Sequence, residues 1–313
     1  MKHMASYRLV GAVLGALGVL AGCGTSSVSD AATEQGKGRP EKPTPQANAP
    51  APPTPEVIAA WHKAGADFGW IPVAQHGDRK WRSGTEKPLG EDLPAFRFRV
   101  FPTGKLKGLP PPKVSFGLEL SSTKLTDAGL KELVELKQLR SLNISGTFVT
   151  NAGLKELAGL REMQSLNVAR NGVTDAGLKQ LVGLTQLQAL DLSQTGVSDA
   201  GLKELTGLAQ LKSLNLDSCR VTDVGLKELT GLKQLQALNL HHTEVTGAGL
   251  KHLAALKQLQ ALDLSQTRVN SAGLKELAGL TQLESLNLTL TNANEASVRE
   301  LRKALPQLNV QWP

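Results

Sequence analysis

The sequence predicts an α/β solenoid in which a parallel β-sheet covers one face, short helices cover the other, and an aromatic-rich cap closes the N-terminal end. Three observations predict this fold. A Gly-Leu pair recurs every 24 residues from Gly129 to Gly273. Leucines recur in phase with that pair, as at Leu136, Leu139 and Leu142. Hydrophobic residues make up 40% of the 313 residues and aromatic residues only 4%, so leucine must fill most of the core.

The charge of the chain is unevenly distributed. Lys and Arg number 35 against 28 Asp and Glu, which gives a net charge of +7. Nearly all of this excess lies in residues 1–113, so residues 114–313 are almost neutral. A nucleic-acid-binding surface needs a basic stripe, and the repeats carry none, so we predict no nucleic-acid partner. The chain has only 2 cysteines, too few for a disulfide scaffold.

Residues 1–22 are predicted to be a lipoprotein signal peptide. A short basic segment precedes the apolar run Leu9–Leu20, which is too short to span a bilayer core of about 30 Å. The sequence Leu20-Ala21-Gly22-Cys23 resembles the bacterial lipobox, and this resemblance implies that Cys23 carries the lipid. The residue after Cys23 is Gly24 and not an aspartate, and in this respect the sequence resembles lipoproteins that are sorted to the outer membrane. An ordinary secretory signal with an incidental cysteine is the alternative.

Residues 23–56 are predicted to be a disordered, proline-rich tether. Prolines cluster between Pro40 and Pro55, and proline favours extended conformations. The tether would hold the folded part away from a membrane surface. A proline-rich ligand for a partner domain is the alternative.

Residues 57–113 are predicted to form the N-terminal cap, because nearly all aromatic residues of the chain lie there. We expect a helix from Glu56 to Phe68, and a strand over Phe96–Val100 that leads to the first repeat strand at Leu118–Leu120. The segment Arg79-Lys80-Trp81-Arg82 places an aromatic ring among basic residues. This segment could bind an acidic polymer. The simpler alternative is that Trp81 packs in the core of the cap and the neighbouring charges are solvated.

Residues 114–313 are predicted to form the repeat domain, including a C-terminal cap. Within one repeat, Leu142-Asn143-Ile144 alternates with period two, which predicts a short strand. A leucine every third residue predicts a short helix, and Thr174-Asp175 supplies a capping oxygen and a first-turn negative charge. The glycine of that turn is expected to let the helix approach its neighbour closely; the alternative is a neutral glycine copied by recent duplication. At the end of the chain we expect a helix over Asn294–Leu305 and a strand containing Val310 and Trp312, because a solenoid end needs a cap.

The repeat LxxLxLxxTxVTDAGLKEL resembles the leucine-rich repeat, in the form found in bacterial leucine-rich repeat lipoproteins and, more distantly, in ribonuclease-inhibitor-like repeats. The resemblance covers residues 114–313 and implies a leucine-rich repeat solenoid, with its parallel sheet on the concave face and its helices on the convex face. It also implies an inward ladder of small polar residues that bond loop backbone. These are Thr123, Thr147, Asn171, Thr195, Cys219, Thr243, Thr267 and Thr291.

The same resemblance implies that the protein binds a ligand through its concave face and is not an enzyme. Large aromatic or Arg anchors are nearly absent from the outward strand positions, which favours a polar ligand. We therefore predict a cell-envelope protein, anchored in the membrane by its lipid, that binds a protein or an envelope polymer. The predicted ligand-binding residues are Asn143, Asn167, Asp191, Asn215, Asp217, Asn239, His241, His242 and Asp263.

Three alternatives concern the same face or the whole module. Ser193, Asp217, His241 and Ser265 fall on successive strands about 4.8 Å apart, which is the order of a hydrolase triad unless the acid and the imidazole simply pair. No oxyanion hole accompanies them in the sequence. His241, His242 and Asp217 suggest a metal, but consecutive strand residues face opposite ways, so we predict no metal and no cofactor. The third alternative is a structural envelope component that associates with itself.

Overall fold

The computed structural model describes residues 51–72, 81–86, 88–89 and 92–312. The predicted signal peptide, Cys23 and most of the predicted tether lie outside these residues. The longest helix in the described part is Glu295–Ala304, with 10 residues. Since a membrane-spanning helix needs about 20 residues, none of the described helices could cross a bilayer.

The cap consists of a helix, α1 (Pro55–Lys63), followed by the strands β1 (Ala66–Ile71), β2 (Arg82–Ser83) and β3 (Leu93–Phe98). The predicted helix Glu56–Phe68 is therefore wrong at its C-terminal end. Gly65 adopts a φ of +102°, a left-handed conformation that ends the helix turn and sends the chain back as β1. The predicted strand at residues 96–100 is confirmed as β3, which begins three residues earlier than predicted, at Leu93, and ends at Phe98.

The repeats alternate short strands and short helices. Their strands are β4 (Phe116–Glu119), β5 (Leu139–Asn143), β6 (Ser165–Asn167), β7 (Ala189–Asp191), β8 (Ser213–Asn215), β9 (Ala237–Asn239), β10 (Ala261–Asp263), β11 (Ser285–Asn287) and β12 (Asn309–Gln311). Their helices are α2 (Asp127–Leu130), α3 (Asn151–Leu157), α4 (Asp175–Leu178), α5 (Asp199–Leu202), α6 (Asp223–Glu228), α7 (Leu250–Leu253), α8 (Ser271–Leu274) and α9 (Glu295–Ala304). Short 3-10 turns extend or precede several of these helices, as at Lys203–Leu205.

All of these strands belong to one 12-stranded sheet with the order β12 to β3, then β1 and β2. Strands β3 to β12 are parallel, whereas β1 pairs antiparallel with β2 and β3. Each strand is in register with the next, so that Leu142 lies beside Leu166 and Leu166 beside Leu190. The predicted leucine-rich repeat solenoid, an α/β fold with an N-terminal cap, is confirmed.

Leucine fills the core of the repeats, and aromatic rings close its first end. Trp61 of α1 is fully buried and stacks on Phe96, with 4.3 Å between ring centroids. Its indole Nε1 donates to the carbonyl of Pro110 at 2.9 Å, so the buried polar atom is satisfied. At the other end, Val310 of β12 lies beside Leu286 of β11, and the indole of Trp312 donates to the carbonyl of Ala293 at 3.2 Å.

The small polar residues of the inward ladder form hydrogen bonds to the loop backbone, as predicted. Thr195 Oγ1 donates to the carbonyl of Leu192 at 2.6 Å, and the equivalent threonines make the same bond in their own repeats. Cys219 occupies one position of this ladder, and its thiol donates to the same Leu192 carbonyl at 3.2 Å. Burial raises the pKa of the Cys219 thiol to about 11, so little of the reactive thiolate forms near neutral pH.

The Asp at the start of four of the repeat helices does more than add charge to the first turn. Asp175 Oδ1 accepts the backbone amide of Ser198 at 2.7 Å, and its Oδ2 accepts the Ser198 hydroxyl at 2.7 Å. Ser198 in turn accepts the amide of Ala200 at 3.4 Å, which is the predicted cap. One carboxylate thus holds the start of the next helix. Equivalent links join Asp127 to Thr150, Asn151 to Thr174, Asp199 to Thr222, and Asp223 to Thr246.

The glycine two residues after the Asp makes room for this link. A Cβ atom at Gly201 would lie 2.3 Å from Asp175 Oδ1 of the preceding repeat. The corresponding distance is 2.3 Å from Gly225 to Asp199 and 2.2 Å from Gly249 to Asp223. The expected close approach is therefore confirmed, and the group that comes close is the carboxylate itself.

Two repeats replace the carboxylate by another acceptor: Asn151 uses its side-chain amide, and Ser271 Oγ accepts the amide of Asn294 at 3.0 Å. A third repeat has Gly247 at this position and so has no side chain to make the link. There the next coil packs against backbone, and a Cβ at Gly273 would lie 2.4 Å from Gly247 Cα. The start of α8 is capped by Asn270, whose side chain accepts the amide of Gly273 at 3.3 Å. This interface therefore depends on packing and on a cap within its own repeat.

We predict that Gly201→Ala destabilises the protein by about 1–3 kcal/mol, because the new methyl group displaces the Asp175 carboxylate. Asp175→Ala is expected to cost about 1–3 kcal/mol, since it leaves two donors of Ser198 without their acceptor. The double variant should lose less than the sum, because the methyl group then has room. Urea-induced unfolding followed by circular dichroism measures all three.

Gly207→Ala is the matched control. A Cβ atom at Gly207 would meet no neighbouring atom within 4 Å, and Gly207 does not adopt a positive φ. Alanine there should be neutral or stabilising by about 0.4–1 kcal/mol. Equal destabilisation by the alanines at 201 and 207 would contradict the proposed steric role.

Candidate functional site

A row of polar side chains crosses the outer face of the sheet at the last position of each repeat strand. Register places these residues side by side from one strand to the next. We call them the polar row: Glu119, Asn143, Asn167, Asp191, Asn215, Asn239, Asp263 and Asn287. The row continues into the cap through Arg97 and Asp67, and to the end of the sheet at Gln311.

The polar row holds the ends of the strands. Asn215 Oδ1 accepts the amide of Asp217 at 3.0 Å, and Asn239 Oδ1 accepts that of His241 at 2.8 Å. Neighbours also bond sideways, as Asn287 Nδ2 does to Asp263 Oδ2 at 3.1 Å. Most of the predicted ligand-binding residues therefore already use part of their hydrogen-bonding capacity within the fold. Their role in binding a ligand stays a prediction. The sequence did hold a sign of their structural role, because an Asn or Asp two residues before a turn often accepts a backbone amide of that turn.

The second and third positions after each residue of the polar row form the rim of the face. We call them the rim: Ser121, Ser145, Ala169, Ser193, Asp217, His241, Ser265 and Thr289, each with the residue after it. The second residue of each pair turns the chain through the left-handed region, with a φ of 54° at Gln194, 57° at Ser218 and 51° at His242. His242 and Gln266 are exposed, and Asp217 and His241 are half-buried. These side chains are within reach of a ligand.

The triad order suggested by the sequence does not form. His241 Nδ1 lies 2.8 Å from Ser265 Oγ, but Ser265 donates its hydroxyl proton to Asp263 Oδ1 at 2.5 Å. Asp217 instead accepts the hydroxyl of Ser218 at 2.8 Å, and no hydrogen bond or ion pair joins it to His241 within the described residues. Ser265 is only 3% exposed, which keeps a substrate from its oxygen. Ser193 likewise donates to its own neighbour, Asp191, at 2.7 Å.

The expectation that His241 and His242 face opposite ways is wrong. Strand β9 ends at Asn239, and the left-handed turn at His242 brings the two rings to the same side, with 6.1 Å between centroids. His242 Nδ1 lies 3.2 Å from Ser218 Oγ. Across the described part of the chain, no three His, Cys, Asp or Glu side chains gather at metal-binding distance.

The basic segment of the cap is partly outside the described residues, which exclude Arg79 and Lys80. The Trp81 ring lies against the sheet at Gly69, where a Cβ would come within 2.5 Å of it, and the Arg97 guanidinium stacks 4.4 Å above the ring. Arg97 also pairs with Asp67 at 3.1 Å, which lowers the pKa of that carboxyl. Arg82 pairs with Asp92. These contacts favour the structural interpretation of the segment.

Comparison with known proteins supports the fold. The leucine-rich repeat family model matches residues 161–221 and 209–269. An internalin from Listeria monocytogenes is similar in structure, with a TM-score of 0.54 and 20% identity over 67% of this chain and 56% of the internalin. A second internalin of that organism matches with a TM-score of 0.49 and 24% identity, over 67% of this chain and 83% of its own. A leucine-rich repeat protein of Leptospira interrogans matches with a TM-score of 0.47 and 24% identity, over 62% of this chain and 54% of its own.

None of the curated proteins matches the chain in sequence. The chain spans little more than half the length of the first internalin. The family match and the sheet of parallel strands agree with each other: the chain contains leucine-rich repeats and folds as a leucine-rich repeat solenoid like those of bacterial proteins.

Proposed function

We propose that the protein is a lipid-anchored, non-enzymatic protein of the bacterial cell envelope, anchored in the outer membrane, which binds a protein or polymer ligand through the outer face of its sheet. Leucine-rich repeat proteins generally mediate protein–protein interaction. That generalisation supports a binding role by analogy of fold, and the side chains of this chain must supply the rest of the argument.

The observation that carries the proposal is the variation along the rim. The leucines that pack the helices against the core hold one residue type in repeat after repeat, as Leu154, Leu178, Leu202 and Leu226 do. The rim instead changes from Ser to Asp to His and back within three repeats, between Ser193 and Ser265. Different polar side chains on neighbouring strands of an otherwise regular array can match one irregular partner.

The chemistry of the rim favours a polar ligand. Asp217, His241, His242 and Gln266 present hydrogen-bonding groups, and large apolar anchors are absent from these four positions. The burial of Ser265 and the hydrogen bonds of Asp217 support a binding face without catalysis.

A photo-crosslinking amino acid at Gln266 tests the proposed face. We expect it to crosslink to a specific envelope component in living cells, and Asp217→Lys/His241→Glu should abolish that product by reversing one charge and introducing another beside it. The same photo-crosslinker at Lys203, an exposed helix residue, is the positional control. The charge swap Lys203→Glu/Glu204→Lys is the control for altered charge.

A product that survives Asp217→Lys/His241→Glu, or that disappears equally with the helix swap, would contradict binding through the sheet face.

The lipid anchor has its own test. Cys23→Ser should leave the protein unlabelled by a clickable fatty acid and release it from the membrane fraction, because no other residue of the predicted lipobox can carry the acyl chains. Cys219→Ser is the matched control, since Cys219 is 4% exposed and its thiol is bonded to Leu192. It should keep full labelling. Labelling that persists in Cys23→Ser would overturn the proposed anchor.

A further inference from the structure

Two imidazole rings lie side by side at the middle of the rim, and each is held by a serine of a different neighbouring strand. His241 Nδ1 contacts Ser265 Oγ, in the repeat that follows, at 2.8 Å. His242 Nδ1 contacts Ser218 Oγ, in the repeat that precedes, at 3.2 Å. Each ring is thus oriented through its Nδ1 atom.

The hydrogen bonds of the two serines determine which nitrogen of each ring carries the proton. A serine hydroxyl has one proton, and a carboxylate can only accept. Ser265 gives its proton to Asp263 Oδ1 at 2.5 Å, and Ser218 gives its proton to Asp217 Oδ1 at 2.8 Å. Both serine oxygens are therefore acceptors towards the rings. In consequence both neutral imidazoles carry their proton on Nδ1.

A neutral imidazole protonated on Nδ1 has its lone pair on Nε2. A histidine that binds a metal almost always donates its other ring N–H to an oxygen that fixes its orientation. Both rings have that second contact in place, with a carboxylate behind each serine, and the ring centroids are 6.1 Å apart. The negative charges of Asp217 and Asp263 also favour a cation at this point.

We propose that His241 and His242 bind one divalent transition-metal ion of the zinc class through their Nε2 atoms. Zinc–nitrogen bonds are about 2.0–2.1 Å long, so both Nε2 atoms must come within that distance of the ion. Two side chains leave coordination positions open for water or for a donor group of a ligand on the same face. The ion has no assigned role in the proposed function, and its binding is measured without any ligand.

Isothermal titration of the full chain with ZnCl2 tests the site. The titrated chain carries Cys23→Ser, so that an unmodified Cys23 thiol does not compete for the ion. We expect one zinc site whose affinity falls at least tenfold in His241→Ala and in His242→Ala. His252→Ala, on helix α7, is the matched control and should bind as the parent does. Circular dichroism establishes that each variant is folded.

A second measurement tests the role of the serines as positioning residues. Nitrogen-15 NMR of the metal-free protein should show both rings with the proton on Nδ1. Ser265→Ala should shift the His241 ring towards the form with the proton on Nε2 and weaken zinc binding, leaving His242 unchanged.

Zinc affinity that is unchanged in both histidine variants, or rings that carry their proton on Nε2 in the parent, would overturn the proposal. Because the titration uses the metal alone, such a result leaves the crosslinking test of the sheet face unaffected.

Discussion

The solenoid depends on a side-chain hydrogen bond that joins most repeats to the next. An Asp at the start of one helix accepts both the amide and the hydroxyl of the residue that caps the next helix, as Asp175 does with Ser198. Hydrogen bonds to a charged acceptor are stronger than neutral ones, at about 1.5–3 kcal/mol net. Because a solenoid is stabilised chiefly by contacts between neighbours, a link of this size at four interfaces helps to fix the spacing and register of the repeats. At Gly153, Gly201, Gly225 and Gly249 the same link explains the glycine, since a Cβ atom there would collide with the carboxylate of the preceding repeat.

The regular helical side leaves the sheet side to carry the differences between repeats. The polar row is itself part of the scaffold, because its Asn and Asp side chains hold the strand ends through bonds such as Asn239 to the amide of His241. The rim residues do not form such a structural hydrogen bond in every repeat. They are the ones that vary, and they include Asp217, His241 and His242, on which both proposals depend.

Much of the fold could be predicted from the sequence, because a 24-residue period in leucine, glycine and small polar residues has few physical explanations. The helix boundary at Gly65 could not, since a left-handed glycine depends on where the cap strand must return. The site was less predictable. Strand alternation placed His241 and His242 on opposite faces, because the sequence did not reveal that β9 ends at Asn239 and that His242 occupies a left-handed turn. The Asp-to-serine bonds between repeats were missed for a similar reason: they join residues 23 positions apart in sequence, beyond any local pattern.

Amide hydrogen exchange, resolved by residue, tests the link between repeats most directly. The amides of Ser198, Thr222 and Thr246 each donate to the carboxylate of the preceding repeat. Gly247 offers no carboxylate to the equivalent amide, that of Asn270. We predict that the Asn270 amide exchanges at least tenfold faster than the other three. Equal protection of all four amides would contradict the claim that the Asp carboxylates hold the repeats together.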